Sequence, residues 1–208
     1  MALSNFTELK ASIASWLFDR TDLTATIPDF ITLAEADMNS KLRHWRMEES
    51  TTLSVSSQFT ALPSDFIGFH SATLEDTTPR RMELVSRADM QEIRERADDV
   101  GGKPIYYCLT DEQFEVYPSP SDTYSVTLIY YRRPTALSDS NADNWVLTYH
   151  PGVYLYGSLL QAAPFLIDDE RIPVWSTLYQ NALQAANDES TNAQAGADGL
   201  RMKIRGMS

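Results

Sequence analysis

Residues 145–183, WVLTYHPGVYLYGSLLQAAPFLIDDERIPVWSTLYQNAL, decide the fold. The stretch reads as two helices and a short corner, and it is the most apolar part of the chain. Its first half carries Val153, Leu155, Tyr156, Leu159, Leu160, Ala163, Phe165 and Leu166. Apolar side chains nearly all round a helix mark it as buried rather than half-exposed. Pro151 suits a first-turn position, where a missing N–H is no loss. Pro164 should kink or end the helix by removing the bond to Leu160. Asp168, Asp169 and Glu170 make a polar corner, and Pro173 opens a second helix. The spacing predicts Trp175, Leu178, Ala182 and Ala185 as its inward face. The other elements are expected to pack against this hairpin.

Toward the N-terminus two more helices are predicted. Asn5 caps the first, with Glu8 at the capping-box position, and the helix runs to about Asp19. Leu3, Phe6, Leu9, Ile13, Trp16 and Leu17 fall on one face. The second runs from near Pro28 to about Trp45, with a stripe of Ile27, Ile31, Ala34, Met38 and Leu42. Acids near its start and Lys41, Arg43 and Arg46 near its end complement the helix dipole.

Between the helical ends the pattern changes to period two. Strands are expected over 50–57, 68–75, 82–85, 105–109, 113–117 and 123–132, with one brief helix capped by Ser86 and Asp89. The segment 123–132 alternates most clearly, Tyr124, Val126, Leu128 and Tyr130 against Ser125, Thr127, Ile129 and Tyr131. Strands gathered in one block give an α+β class, and one short interrupting helix argues against parallel βαβ winding. The expected organisation is a helical bundle from both chain ends (1–49 and 145–190). Into it is inserted a mostly antiparallel β lobe with its connecting loop (50–144), and a flexible C-terminal arm follows (191–208). Apolar content falls after Asn187, so that tail is expected to be weakly helical or disordered when free.

The chain has 208 residues, 43% of them hydrophobic, enough for one core or a core plus a smaller lobe. Its net charge of −12 argues against ordinary nucleic-acid binding, because an acidic surface repels phosphates. The single cysteine, Cys108, cannot form an internal disulfide and reads as a buried small hydrophobe. Residues 1–10 lack the pattern of a signal peptide. No apolar run reaches the ~20 residues of a membrane span. Synthesis in the cytoplasm, with no membrane association, is the expectation.

No constellation of catalytic residues stands out. His44, His70 and His150 have no second His or Cys at ligand spacing, so no metal site is expected. Gly101-Gly102-Lys103 resembles a phosphate loop but lacks the earlier glycine, and Pro104 replaces the Ser or Thr. Asp139-Ser140-Asn141-Ala142-Asp143 begins like a calcium loop, yet Asn144 stands at the glycine position and His150 at that of the bidentate Glu. A turn or capping role fits better. The corner carboxylates Asp168, Asp169 and Glu170 point different ways and read as solvated. No Ser lies in a G-x-S-x-G elbow, and no cofactor motif occurs. The tyrosine pairs, without basic charge around them, read as packing rather than base-stacking platforms.

The chain resembles the head-to-tail adaptor (connector) family of tailed bacteriophages, tail tubular protein A-like, especially that of short-tailed phages. The likeness runs over about residues 26–186. It is carried by Ile31 to Ala36 with Leu42-Arg43, by Leu62-Pro63 with Asp65-Phe66, and by Pro104 with Tyr106-Tyr107. Tyr117 to Pro120, Val126 to Tyr131, Arg133-Pro134 and Leu137 continue it. Tyr154 to Leu160, Asp168-Asp169, Trp175, Tyr179 and Ala182-Leu183 complete it. The resemblance implies a non-enzymatic structural protein of the virion neck. It implies a ring, usually of twelve copies, that attaches to the portal protein, presents a platform for tail nozzle or tail tube proteins, and lines the channel through which DNA passes without sequence-specific binding. Another neck, head-closure or tail-completion protein, or a virion-associated enzyme, are the alternatives.

Charge reverses sign at one place, the C-terminal GLRMKIRGMS. Leu200, Arg201, Met202, Lys203, Ile204 and Arg205 alternate apolar and basic side chains, as an extended strand with two unlike faces does. A frayed tail with chance charges is one reading of this pattern; the other, which the resemblance implies, is a docking arm, and on it these six are expected to bind the portal.

Overall fold

The computed structural model of the protein describes residues 3–96, 101–166 and 170–195. The chain divides into two compact units, Met1–Trp45 with Pro134–Ser208, and Arg46–Arg133. The described residues of the first hold helices α1 (Phe6–Trp16), α2 (Ile27–Lys41), α4 (Trp145–Tyr149), α5 (Pro151–Gln161) and α6 (Ile172–Ala195), and α3 (Arg87–Arg96) lies in the second. The second unit also holds strands β1 (Glu48–Val55), β2 (Phe59–Ala61), β3 (Phe66–Glu75), β4 (Arg80–Arg81), β5 (Glu83–Leu84), β6 (Tyr106–Thr110), β7 (Gln113–Tyr117) and β8 (Tyr124–Arg132). The class is therefore α+β.

In the helical unit α5 is central, packing on α1, α2, α4 and α6. Val153, Tyr154, Leu155, Gly157, Ser158 and Leu159 are buried around it. Gly157 is required by a close approach: a Cβ there would stand 3.0 Å from the Tyr179 ring and 3.3 Å from the Ala34 side chain. The expected single first helix of the hairpin is two. Asn144 Oδ1 accepts from the Leu147 N–H and caps α4, and the chain leaves helical geometry at His150 before Pro151 opens α5. Pro164 sits in a short 3-10 turn just beyond the end of α5, where its missing N–H costs no helical bond.

The α2 stripe Ile27, Ile31, Ala34, Met38 and Leu42 is buried as expected, but the helix ends at Lys41 rather than near Trp45. Two other faces differ from the reading. Trp16 is part-exposed and packs edge-on against Tyr156 at 6.0 Å, so α1 buries Phe6, Leu9, Ser12 and Ile13. In α6 the buried line is Trp175, Tyr179, Leu183, Ala186 and Ser190, while Leu178 and Ala182 are half-buried and Ala185 is exposed. Apolarity found Trp175 but missed Tyr179 and Ser190, which are buried with their hydroxyls hydrogen-bonded. Helix α6 also continues through Ala195, past the point where falling apolar content suggested disorder. Asn187 and Ser190 anchor it: their side-chain oxygens accept from the N–H groups of Arg43 and Trp45.

The second unit is two four-stranded sheets, ordered β1-β8-β3-β4 and β2-β7-β6-β5. Strand β8 lies between β1 and β3, antiparallel to both. Its inward Val126, Leu128 and Tyr130 meet Val55, Ala72, Leu74, Tyr107, Phe114 and Val116 in one core between the sheets. The opposite face of β6 and β7 buries Cys108 and Tyr117 beneath Met90 of α3. The β6–β7 hairpin turns through Asp111 and Glu112, both at positive φ (51° and 58°), the twist a two-residue turn needs. Among the described strands pairing is antiparallel except between β5 and β6, which run parallel with α3 between them in sequence; an isolated parallel bridge also joins Gly102 to Pro120. The one short helix that interrupts the strands, α3, thus lies in a parallel β5–α3–β6 connection.

Candidate functional site

Residues that carry the family likeness meet in two polar knots. In the helical unit, Glu35 is 7% exposed and its Oε1 accepts from the Leu137 N–H at 2.8 Å and the Tyr154 hydroxyl at 3.0 Å. Asn144 Nδ2 donates to the same tyrosine oxygen at 2.6 Å. Burial raises the Glu35 carboxyl above its ordinary value, against the lowering effect of its two donors. Burial, and then the Glu35 charge, raise the Tyr154 hydroxyl strongly. In the β unit, Asp65 ties the Leu62-Pro63 turn to β8. Its carbonyl accepts from the Arg133 N–H at 2.8 Å, and its carboxylate accepts from the Tyr130 hydroxyl at 3.0 Å. Burial first and this bond second push Tyr130 up to about 12. Both carboxylates hold loops in place.

A second buried carboxylate among the described residues, Glu115 on β7, is likewise satisfied. It pairs with Arg94 of α3 at 3.0 Å and accepts from Gln58 and Thr110. Burial raises its pKa, but the Thr110 and Gln58 bonds, the Cys108 contact and the Arg94 charge together bring it below the ordinary value. A shallow cleft of about 320 Å³ beside it is lined by Gln58, Arg87, Arg94 and Glu115 among others. An ion pair closed by four partners is a brace between helix and sheet rather than an acid or base awaiting substrate. Burial raises the Cys108 thiol, the opposite of what a reactive cysteine needs.

The surface feature that stands out is aromatic. Helix α1 ends in a Schellman motif: the Asp19 N–H bonds the Ala14 carbonyl at 2.9 Å and the Phe18 N–H bonds the Ser15 carbonyl at 3.1 Å. The left-handed residue this motif needs is ordinarily glycine, and here it is Phe18, at φ 59° and 78% exposed. Arg171 lies 4.5 Å over the Phe18 ring and donates to the Trp16 carbonyl. Arg20 donates to the carbonyl of Phe165, itself half-exposed. Two arginines thus brace a rim of exposed apolar side chains at one end of the helical unit. A bulky aromatic held outward in a strained conformation suits contact with another protein.

The structure also assembles what sequence spacing could not show. His44 after α2, His150 before α5 and Glu189 on α6 bring ligand atoms within 4.8 Å of one another. His70, by contrast, is exposed on β3, 3.9 Å from Glu48. The calcium-like stretch is a turn: Asp139 pairs with Lys10 at 2.9 Å, and Ser138 and Asn141 exchange backbone bonds. Lys103 of the glycine-rich stretch pairs with Asp76. Asp168 and Asp169 of the corner, and all of Leu200 to Arg205, lie outside the described residues. Among the described residues no helix is long and apolar enough to cross a membrane.

The family model described as SU10 adaptor protein matches residues 4–201, spanning both units. No curated protein matches the chain significantly.

Proposed function

The chain belongs to the SU10 adaptor protein family, and from that premise we propose that it forms a ring, usually of twelve copies, joining the portal of a phage capsid to its tail. A phage adaptor is a structural component of the virion neck and not a class of enzyme. The observation that carries the finer reading is the extent of the family match, residues 4–201, which takes in both units and reaches Leu200 and Arg201 of the docking stretch. In this reading the two ends of the chain form a helical bundle (1–49 and 145–190) that makes the body of the ring. The inserted β lobe (50–144) reaches neighbouring copies and the tail nozzle or tube. The arm (191–208) docks on the portal through Leu200, Arg201, Met202, Lys203, Ile204 and Arg205. The rim at Phe18 adds an exposed contact face to the bundle.

The net charge of −12 supports a passive DNA conduit, because an acidic wall repels the phosphates of its cargo and lets it slide. Synthesis in the host cytoplasm followed by assembly into the neck completes the proposal. Mixing the purified chain with purified portal and imaging the product tests it. A ring of this chain on the portal is the expected result. A chain that stays monomeric beside an undecorated portal would overturn the ring.

A further inference from the structure

We propose that His44, His150 and Glu189 form a site for one divalent d-block cation, Zn²⁺ by ligand chemistry, which clips three helices of the helical unit together. The three residues lie far apart in sequence but on converging segments. His44 follows the end of α2, His150 sits at the junction of α4 and α5, and Glu189 is on the distal half of α6. The His44 Nε2 stands 3.9 Å from Glu189 Oε1, and the His150 Nε2 stands 3.6 Å from Glu189 Oε2. The two imidazole rings meet edge-on with centroids 5.7 Å apart. Four-coordinate zinc with bonds of about 2.0–2.1 Å places its ligand atoms about 3.4 Å apart. The observed separations are a few tenths of an ångström to about 1.4 Å wider, within reach of side-chain rotation.

The donor set and its surroundings fit zinc. Two imidazoles and one carboxylate are a known zinc set, whereas calcium and magnesium take oxygen ligands. His44 is fully buried and the His150 side chain is 11% exposed, while Glu189 is half-exposed. The site therefore has a fixed inner wall of imidazoles and an outer carboxylate that can swing, leaving the fourth position to water. Trp145 packs 4.8 Å from the His44 ring and Trp45 5.5 Å from it, which fixes the imidazole plane and shields the inner side. Asn187 and Ser190, on either side of Glu189, already hold α6 to the end of α2 through Arg43 and Trp45. The carboxylate is thus delivered by a helix pinned in place, as a preformed site requires.

Zinc titration of the chelator-treated full chain, followed by calorimetry, tests the site. One Zn²⁺ per chain should bind, melting temperature should rise with zinc concentration, and amides near 186–195 should gain exchange protection. Co²⁺ should give the visible absorption of a tetrahedral centre, and Cu²⁺ should quench the fluorescence of the adjacent tryptophans. Glu189→Gln and His150→Gln should each weaken zinc binding by more than about 100-fold, beyond the loss typical of an outer-shell change. His70→Gln, outside the cluster, should leave it unaltered. Since Glu189 is exposed, its variant should fold, and the Co²⁺ spectrum of the unaltered chain needs no variant. Absence of stoichiometric binding, or binding that both cluster variants retain, would overturn the proposal.

Discussion

The Tyr154 hydroxyl and Glu35 Oε1 lie 3.0 Å apart inside the helical unit, with the tyrosine donating to a carboxylate whose pKa burial has raised. The unfolded chain ionises this glutamate near its ordinary 4.5. The folded protein holds the proton to higher pH, so it binds more protons than the unfolded chain in that window. Glu35 therefore adds nothing unfavourable at pH below 4.5, and its contribution falls as pH rises through the raised folded value. Glu35→Gln should keep an acceptor for Leu137 and Tyr154 without the buried charge. Its stability relative to the parent should rise across this window, then level off, staying within about 1 kcal/mol at pH 7. Glu35→Ala leaves both donors unsatisfied and should cost roughly 2 kcal/mol. Urea unfolding at a series of pH values checks both, and a Gln variant weaker than the Ala variant would contradict the account.

Tyr179 makes the complementary case. Its hydroxyl donates to Asp37 Oδ2 at 2.7 Å, and Lys41 pairs with the same carboxylate. Burial raises Asp37, but the hydrogen bonds from Lys41 and Tyr179 outweigh it and hold the carboxyl below its usual 3.8. This stability is present above 3.8 and is lost as pH falls through the lowered folded value. Tyr179→Phe keeps the ring against Gly157 and removes one bond to a charged group. It should cost about 1–2 kcal/mol at pH 7, a deficit that narrows as Asp37 protonates. Thermal melts at pH 7 and pH 3 decide this.

These two knots explain where the sequence was legible. Apolar stripes at helical spacing located α2 and the core of α5, and strict alternation located β8, because in those elements burial and apolarity coincide. They part company in α6, where Tyr179 and Ser190 are buried because distant residues satisfy their hydroxyls. No periodicity announces such a partner. The same limit hid the histidine cluster, since 44, 150 and 189 meet only once three helix ends converge. It also hid β2, a three-residue strand whose identity comes from pairing with β7 rather than from its own pattern.

Trp175 and Leu160 should separate by burial. Trp175 is 1% exposed, so Trp175→Ala should cost about 3–5 kcal/mol. Leu160 is only half-buried, so Leu160→Ala should cost less, about 1–2 kcal/mol. Equal losses in denaturant titrations would mean that α5 packs its Leu160 side as tightly as its Tyr154 side.

Phe18 should trade stability against assembly. Phe18→Gly relieves the left-handed strain at the end of α1, a gain of about 1 kcal/mol. It also gives up the Arg171 contact, which is worth about 0.5 kcal/mol at an exposed site. The isolated chain should therefore melt at the same temperature or slightly higher. If the aromatic rim is a contact face of the ring, the variant should also assemble on portal more weakly. A variant that is stabilised and assembles normally would leave Phe18 without a binding role.

The C-terminal arm carries the last prediction. Helix α6 is anchored at Asn187 and Ser190, and removing residues 198–208 leaves those two anchors in place. Melting temperature should stay nearly unchanged while portal attachment is abolished. Arg201, Lys203 and Arg205 interleave with Leu200, Met202 and Ile204, and a solubilising tail would have no need of those apolar groups. A weak arm suffices when a ring presents many copies at once, because each bound copy raises the effective concentration of the next. Neutralising the three cations together should weaken attachment more at low salt than at high salt, where screening has already removed that contribution. Attachment measured by sedimentation with portal, across a salt series, reads both effects. A truncated chain that binds portal as tightly as the full one would move the docking surface from the arm to the helical unit, with the rim around Phe18 as the first place to look.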